Sequence, residues 1–159
     1  MIPEFTDLPG APWSVLPVGI HQASLSAVAD RFASNARRHR LFGGLVRASG
    51  NLADAGCKRL LLDGSFVTSK PWPGDYDACW DPSGVDRELM DPIFSIFDED
   101  RAAQKAKFGG EFFPSTNRAD AAGRTFLEFF QIEKFSGLRK GVVLIDLAND
   151  PMLQLQVGP

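Results

Sequence analysis

The sequence has few of the residues that build disulfide frameworks and zinc sites. Its 159 residues include two cysteines and two histidines, and neither a CxxC pair nor a Cys/His grouping occurs. This scarcity argues against a structural zinc site and against a fold held together by disulfides. Cys57 and Cys79 both stand beside apolar residues, so we expect buried, reduced thiols.

An excess of positive charge and long apolar runs are also missing. The net charge of -3 excludes the global basic field that attracts nucleic acid. No apolar run approaches the length that spans a membrane, and the first residues, Met1–Trp13, lack the basic and apolar regions of a secretion signal. We therefore expect a cytoplasmic protein that makes no membrane contact.

What is present is the composition of an ordinary globular protein. Hydrophobic residues make up 44% of the chain and charged residues 23%, which is enough to build one core. We expect a single domain over residues 1–159. It would comprise an extended, proline-rich arm over residues 1–20, a helical segment over 24–56, a catalytic core over 58–147 and a tail over 148–159.

Helix signals recur along the chain. Ser24 is a good N-cap for a first helix, and the apolar spacing predicts a second helix from Ala36 to about Ala55. Asp91-Pro92 predicts the start of a third helix that continues to about Ala106. The aromatic-rich stretch Arg124–Glu133 suits a strand or a helix, and its spacing favours the helix.

Apolar runs predict the strands. These runs are Lys58–Asp63, Asp75–Trp80, Phe108–Phe113 and Gly141–Leu147. Strands that alternate with helices are typical of an α/β or α+β layer fold.

The strand at Asp75–Trp80 contains two carboxylates where an apolar residue is expected. Strand side chains alternate between faces, so Asp75 and Asp77 point to the same side, away from Tyr76 and Ala78. Convergent carboxylates repel each other unless a cation compensates them, and Mg²⁺ is the usual partner. The alternative is an exposed strand face on which both carboxylates are simply solvated.

A glycine-serine turn precedes this pair. Gly64-Ser65 ends the first strand, where glycine lets backbone approach a ligand and the following turn offers free N–H groups to phosphate. Nine residues, Phe66–Gly74, then separate the turn from Asp75. A P-loop has a similar length, but here Pro71 stands where a P-loop has Ser or Thr.

The pattern of an apolar strand, Gly-Ser, a linker and D-x-D, written LLLDGS and GDYDAC here, resembles the signature of the nucleotidyltransferase superfamily, the polymerase-beta-like fold. The stretches VGIHQASLSAVADRF, NARRHRL, DGSFVTSKPWPGDYD and RKGVVLIDL are similar to a family of small bacterial and phage nucleotidyltransferase-like proteins. The superfamily motif covers Leu60–Cys79, and the narrower likeness runs from about Leu16 to Leu147.

The resemblance implies a minimal nucleotidyltransferase fold, in which helices flank a short mixed sheet. It implies transfer of a nucleoside monophosphate from an NTP to a hydroxyl on a protein or RNA acceptor. Asp75 and Asp77 would hold Mg²⁺ or Mn²⁺, while Gly64 and Ser65 would contact the triphosphate.

Active members of the superfamily usually carry a third carboxylate on a neighbouring strand. Glu111 has the expected place in the chain order and is the favoured candidate, although a glutamate replaces the usual aspartate. Asp146 in the last strand is the second candidate. A site with neither of them is the remaining possibility.

The resemblance leaves phosphate contacts and partners less well defined. Arg38, in the basic cluster Arg37–Arg40, and Lys70 are candidates for phosphate contacts; the alternative for both is a solvated surface. The acceptor site is expected to be shared with the N-terminal helices, a partner protein or a second copy of the chain. By analogy with similar small domains, the protein could belong to a toxin–antitoxin or phage-defence module. The alternative function is a non-catalytic binding module, such as an antitoxin or nucleotide sensor, which the glutamate at 111 favours.

Overall fold

A five-stranded mixed sheet forms the centre of the chain in the computed structural model, which describes residues 1–154. The strands are β1 (Gly19–Gln22), β2 (Arg59–Asp63), β3 (Tyr76–Trp80), β4 (Gly110–Pro114) and β5 (Gly141–Asp146). Their spatial order is β1-β5-β2-β3-β4. Strand β2 is antiparallel to β3 and β5, while β4 is parallel to β3 and β1 is parallel to β5. The expected mixed sheet is confirmed.

The helices connect these strands. They are α1 (Leu25–Phe32), α2 (Ala36–Asp54), α3 (Asp98–Phe108), α4 (Phe126–Phe129) and α5 (Pro151–Gln154), with short 3-10 helices at Ser65–Val67 and Pro92–Ser95. Polar side chains cap the first two helices. Ser24 accepts a hydrogen bond from the Ala27 N–H at 3.1 Å, and Asn35 accepts one from the Arg38 N–H at 2.9 Å. Such caps satisfy N–H groups that have no partner within the helix.

The main core lies between one face of the sheet and helices α1 and α2. Tyr76 and Ala78 of β3 point into it, as the strand alternation predicts, and both are fully buried. Leucines and phenylalanines contribute much of the rest, among them Leu25, Phe32, Leu41, Leu45, Leu52, Leu60, Leu62, Phe66 and Phe112. Each such side chain contributes roughly 1.5–3 kcal/mol when fully buried. A smaller cluster of Leu61, Cys79, Phe130 and Val142 packs on the opposite face.

Both cysteines are buried and free, as expected. Burial raises the pKa of the Cys57 thiol to about 11 and also raises the pKa of Cys79. These groups therefore remain neutral thiols at physiological pH.

Gly44 explains the Gly-Gly pair in the middle of α2. A Cβ at Gly44 would lie 1.8 Å from the carbonyl oxygen of Phe108, so only glycine lets the end of α3 rest against α2. The same carbonyl accepts a hydrogen bond from the Tyr76 hydroxyl at 2.9 Å. Gly44 weakens α2 locally, but it allows α2, the end of α3 and Tyr76 of β3 to contact one another.

The predicted continuous helix from Asp91 to about Ala106 is wrong. The chain forms the 3-10 helix Pro92–Ser95, becomes extended at Ile96 and then begins α3. The buried side chain of Gln104 donates hydrogen bonds to the carbonyls of Ile93 and Ile96. It also accepts one from the Phe112 N–H at 2.8 Å. The break persists because one buried amide satisfies backbone groups on both sides of it.

Three other boundaries differ from the sequence prediction. The N-terminal arm leads into β1, which pairs with β5. Phe108 ends α3 and does not begin a strand. Within residues 124–133, only Phe126–Phe129 is helical, and a capping box between Thr125 and Glu128 starts it.

The tail expected over residues 148–159 contains α5, and residues 155–159 lie outside the described part. Among the described residues, 1–154, there is no helix with the length and apolar character needed to cross a bilayer.

Candidate functional site

Asp75, Asp77 and Glu111 converge at one end of the sheet; we call these three residues the acidic cluster. A carboxylate oxygen from each lies within 4.8 Å of the other two. The register explains the meeting, because β3 and β4 are parallel neighbours and pair Asp77 directly with Glu111. The sequence had selected these residues as the favoured triad, and the fold brings them together.

Asp146, the second candidate for the third carboxylate, lies elsewhere. It pairs with Arg59 at the first residue of β2, whereas Asp77 pairs with Asp63 at the last. The length of β2, about 13 Å, therefore separates Asp146 from the acidic cluster. Its carboxylate accepts a hydrogen bond from the side chain of Asn149 at 3.0 Å.

The Gly64-Ser65 turn lies directly beside Asp77. Gly64 has a φ of 88°, in the left-handed region that favours glycine. A Cβ at this position would lie 3.0 Å from both the backbone nitrogen and a carboxylate oxygen of Asp77. Glycine is therefore needed for the conformation and for the close approach of the turn to the acidic cluster. Both Gly64 and Ser65 line the cleft above it.

Arg38 is not in the cleft, and this corrects its assignment as a phosphate contact. Only 4% of Arg38 is exposed, and its guanidinium donates hydrogen bonds to the carbonyls of Phe32, Phe66, Thr68 and Lys70. Four of the five guanidinium N–H donors are therefore used by the chain's own backbone, and the group is not available to a ligand in the cleft. Burial lowers its pKa, but a guanidinium stays charged in proteins.

Neighbours of Arg38 hold the rest of the linker. The Asn35 side chain donates to the Pro71 carbonyl at 2.8 Å. Arg37 donates to the carbonyls of Pro73 and Gly74 at 3.0 and 3.1 Å. The basic cluster at the start of α2 thus clamps the linker that joins the Gly-Ser turn to the D-x-D strand. The basic cluster was visible in the sequence. Its hydrogen-bond partners, which are backbone carbonyls of the linker, were not.

Two cations surround Glu111. Arg101 donates to Glu111 Oε1 through Nη2 at 2.9 Å and through Nε at 3.2 Å, and Lys105 Nζ lies 3.1 Å from the same oxygen. Burial alone would raise the pKa of Glu111, but hydrogen bonds from Asp77, Arg101 and Lys105 outweigh it and lower that pKa. Glu111 is therefore the carboxyl group of the acidic cluster that ionises most readily.

Asp77 behaves in the opposite way. Burial raises its pKa well above the ordinary value, and the nearby charges of Asp63, Asp75 and Glu111 raise it further. The pKa of Asp75 is also raised, first by burial and then by Glu111. Without a bound cation, the acidic cluster thus retains a proton that Asp77 would lose in water.

Asp63 and Lys140 form a buried ion pair that the sequence analysis missed. Their side chains are 9% and 10% exposed, and the ammonium also donates to the Phe130 carbonyl at 2.8 Å. Burial raises the pKa of Asp63 more than Lys140 lowers it. The sequence contained one local signal for this pair, because Asp63 is an acid at the end of an apolar strand, immediately before Gly64. Its partner lies 77 residues away, and no local pattern connects the two.

A cleft of about 940 Å³ opens over these groups. The acidic residues Asp63, Asp75 and Asp77 line it, and so does Lys70, the second predicted phosphate contact. Its walls add aromatic and cationic side chains: Trp13, Arg124, Phe129, Lys134 and Phe135. The cleft therefore brings carboxylates together with apolar surfaces and positive charge.

A family model described as "Family of unknown function (DUF6932)" matches residues 10–146. No curated protein and no solved structure matches the chain. The matched range includes every residue of the acidic cluster and the Gly64-Ser65 turn.

Proposed function

From the residues of its site, we propose that this chain, which belongs to DUF6932, a family of unknown function, is a Mg²⁺-dependent nucleotidyltransferase. The proposed reaction moves a nucleoside monophosphate from an NTP to a hydroxyl on a protein or RNA acceptor. The observation that carries this proposal is the meeting of Asp75, Asp77 and Glu111 beside the Gly64-Ser65 turn. The sequence resemblance to the nucleotidyltransferase superfamily supports the same reading.

The chemistry of the donor set fits a hard divalent cation. All three groups offer carboxylate oxygens, which Mg²⁺ prefers over nitrogen and sulfur ligands. Ligands on opposite sides of an octahedral Mg²⁺ lie about 4.2 Å apart. The carboxylate oxygens of the acidic cluster lie within 4.8 Å of one another, so the three side chains are close enough to converge on one ion. Asp75 and Asp77 would be the principal ligands.

The chain's own groups supply the remaining requirements. Gly64 brings backbone close to the acidic cluster without a side chain in the way, which suits a phosphate oxygen. Lys70 and Lys134, both in the cleft wall, provide positive charge for a triphosphate. Phe129 and Phe135 line the same cleft and offer flat apolar surfaces to a nucleobase.

In the proposed reaction, the acceptor oxygen forms a bond to the α-phosphorus while the bond between that phosphorus and the pyrophosphate oxygen breaks. The hydroxyl proton passes to a carboxylate of the acidic cluster, and pyrophosphate leaves with the bonding electron pair. A bound Mg²⁺ would neutralise the charge that develops on the phosphate oxygens. The linker clamp formed by Arg37 and Arg38 would keep the Gly-Ser turn and Asp75 at a constant separation during the reaction.

One observation favours a second candidate, a non-catalytic module that binds nucleotides. Glu111 is already paired with Arg101 and Lys105, which reduces its capacity to act as a base or as a metal ligand. Such a module would bind an NTP with Mg²⁺ and would transfer nothing.

The test is a labelling assay with Mg²⁺, each α-labelled NTP and total cell extract as the source of acceptors. We expect label on an acceptor with the natural chain, and a decrease of about 10²–10³-fold in Asp77→Ala, since metal-assisted charge stabilisation is worth several kcal/mol. Asp146→Ala is the matched control, because it removes an aspartate at the far end of the sheet, and it should label like the natural chain. Equal labelling by the natural chain and Asp77→Ala, or no labelling with any NTP, would overturn the proposed transfer. Metal-dependent NTP binding without transfer would favour the second candidate.

A further inference from the structure

We infer that the acidic cluster binds one divalent cation and not two, because Arg101 and Lys105 occupy the position in which a second cation would be held. This inference rests on the proposed function and specifies its metal content. A two-metal site needs carboxylates that are free to bridge or flank both ions. Here the third carboxylate is committed to protein cations.

The contacts at Glu111 leave its Oε1 atom paired with protein cations. Three donors converge on its Oε1 atom, two from Arg101 at 2.9 and 3.2 Å and one from Lys105 at 3.1 Å. Arg101 lies near the start of α3, where its backbone is left-handed with a φ of 60°, and Lys105 lies in the helix that follows; both side chains reach the same oxygen of Glu111. An ion that used Oε1 would have to displace both of them.

The surroundings make that displacement unfavourable. Glu111 is only 15% exposed at its side chain, and Arg101 lies with its guanidinium carbon 5.5 Å from the centre of the Phe113 ring. The guanidinium is therefore held by two hydrogen bonds to one oxygen of Glu111 and by the Phe113 ring. Lys105, with 37% of its side chain exposed, is the more exposed of the two cations.

The charges of the neighbouring side chains also favour one ion over two. Four carboxylates lie at this end of the sheet, Asp63 and the three members of the acidic cluster. Three cations compensate them, Lys140 at Asp63 and the Arg101–Lys105 pair at Glu111. Among the described residues, Asp75 and Asp77 have no ion-pair partner, so when ionised they carry two negative charges beside the two cations at Glu111. One divalent cation offsets those charges, whereas a second would leave a large positive excess beside Arg101 and Lys105.

The two cations consequently act as positioning residues. They hold the Glu111 carboxylate through Oε1, and they provide permanent positive charge next to the single metal position. In the proposed transfer, that charge would face the phosphate groups of the substrate. The site would thus combine one metal ion with an arginine and a lysine in place of a second ion.

The experiment counts bound ions directly. The full chain is titrated with Mn²⁺, and free aqueous Mn²⁺ is measured by its electron paramagnetic resonance signal, which bound Mn²⁺ does not contribute. We expect one ion per chain for the natural protein up to millimolar Mn²⁺. Arg101→Gln/Lys105→Gln should bind two, since Glu111 then becomes available. Lys107→Gln removes a lysine of the same helix that pairs with Asp91, and it should still bind one.

A more conservative variant covers the case in which the double variant fails to fold. Lys105→Gln changes one partly exposed side chain, and it should show at least a tenfold gain in affinity for a second Mn²⁺ over the natural chain. Two ions of similar affinity in the natural chain, abolished by Asp77→Ala, would overturn this inference and leave the proposed function standing. A stoichiometry of one in the natural chain and in both variants would also overturn it. Binding of no ion at all would overturn the proposed function together with the inference.

Discussion

Asp77 and Glu111 face each other as paired residues of two parallel strands, and their carboxyl groups are joined by a hydrogen bond that holds their pKa values apart. Glu111 has two cations as neighbours and stays ionised. Asp77 lies against Asp63 and Asp75 and keeps a proton more firmly than an exposed aspartate does. Ionising both carboxyl groups without a bound cation costs free energy. This cost should be measurable as a pH dependence of the unfolding free energy of the metal-free protein.

Asp77→Asn should stabilise the metal-free protein at neutral pH. The pKa of Asp77 is higher in the folded state than in the unfolded state. At pH values between these two pKa values, the folded state therefore binds more protons than the unfolded state. By linkage, the natural chain then loses unfolding free energy with rising pH, while the asparagine variant does not. Urea unfolding between pH 4 and pH 8, with a chelator present, measures the difference.

The exposed Asp30→Asn serves as the control for this experiment, and its profile should parallel that of the natural chain. Mg²⁺ should raise the unfolding free energy of the natural chain and leave Asp77→Asn unaffected, because binding to the folded state stabilises it. Parallel pH profiles for the natural chain and Asp77→Asn would contradict the raised pKa.

Lys140→Met should destabilise the protein by about 3 kcal/mol at pH 7, since it leaves the Asp63 carboxylate buried without its partner. The loss should be smaller near pH 4, where Asp63 takes up a proton and the unpaired charge disappears. Lys134→Met removes an exposed lysine of the same loop and should change stability by less than about 0.5 kcal/mol. Equal losses in the two variants would show that the Asp63–Lys140 pair contributes nothing.

Arg38→Ala should lower the unfolding free energy by about 3 kcal/mol, because four backbone carbonyls lose a charged hydrogen-bond donor. Arg40→Ala is the matched control; it lies on the exposed side of α2 and should cost less than about 0.5 kcal/mol. Denaturant unfolding with intrinsic fluorescence measures both. If both arginines behaved alike, the linker clamp would have no energetic role.

Gly44→Ala and Gly43→Ala should have opposite effects. At Gly44 a methyl group would collide with the Phe108 carbonyl oxygen, and the loss should be about 3 kcal/mol or more. At Gly43 the nearest atom to a new Cβ is a flexible Arg47 nitrogen at 3.7 Å. There the gain in helix propensity should stabilise the chain by up to about 1 kcal/mol. Thermal unfolding of the two variants side by side separates these outcomes, and a destabilised Gly43→Ala would contradict the assignment.

The strands and the composition of the site were predictable because their signals are local. Apolar runs located β2, β3 and β5 to within one residue at each end, and two-residue alternation predicted which side of β3 is acidic. The N-cap Ser24 located the start of the first helix, and apolar spacing located the second helix to within one residue at each end. Each of these signals extends over a few neighbouring residues and survives in the folded chain.

The rest depends on contacts between distant parts of the chain. Glu111 and Asp146 are both acids in strands, and only the spatial order of the sheet separates them, because antiparallel pairing carries Asp146 to the far end of β2. The role of Arg38 depends on which side of α2 faces the linker. Strand β1 has four residues and lies beside prolines, so its pairing with β5 leaves no pattern in the sequence.

The clamp between the start of α2 and the linker has a further consequence for recognition. A glycine- and proline-rich segment over a binding cleft would ordinarily lose conformational entropy when a ligand orders it. Here Asn35, Arg37 and Arg38 hold that segment through its backbone, so the ordering occurs during folding. The cleft is preorganised, and an incoming molecule encounters walls that are already in place.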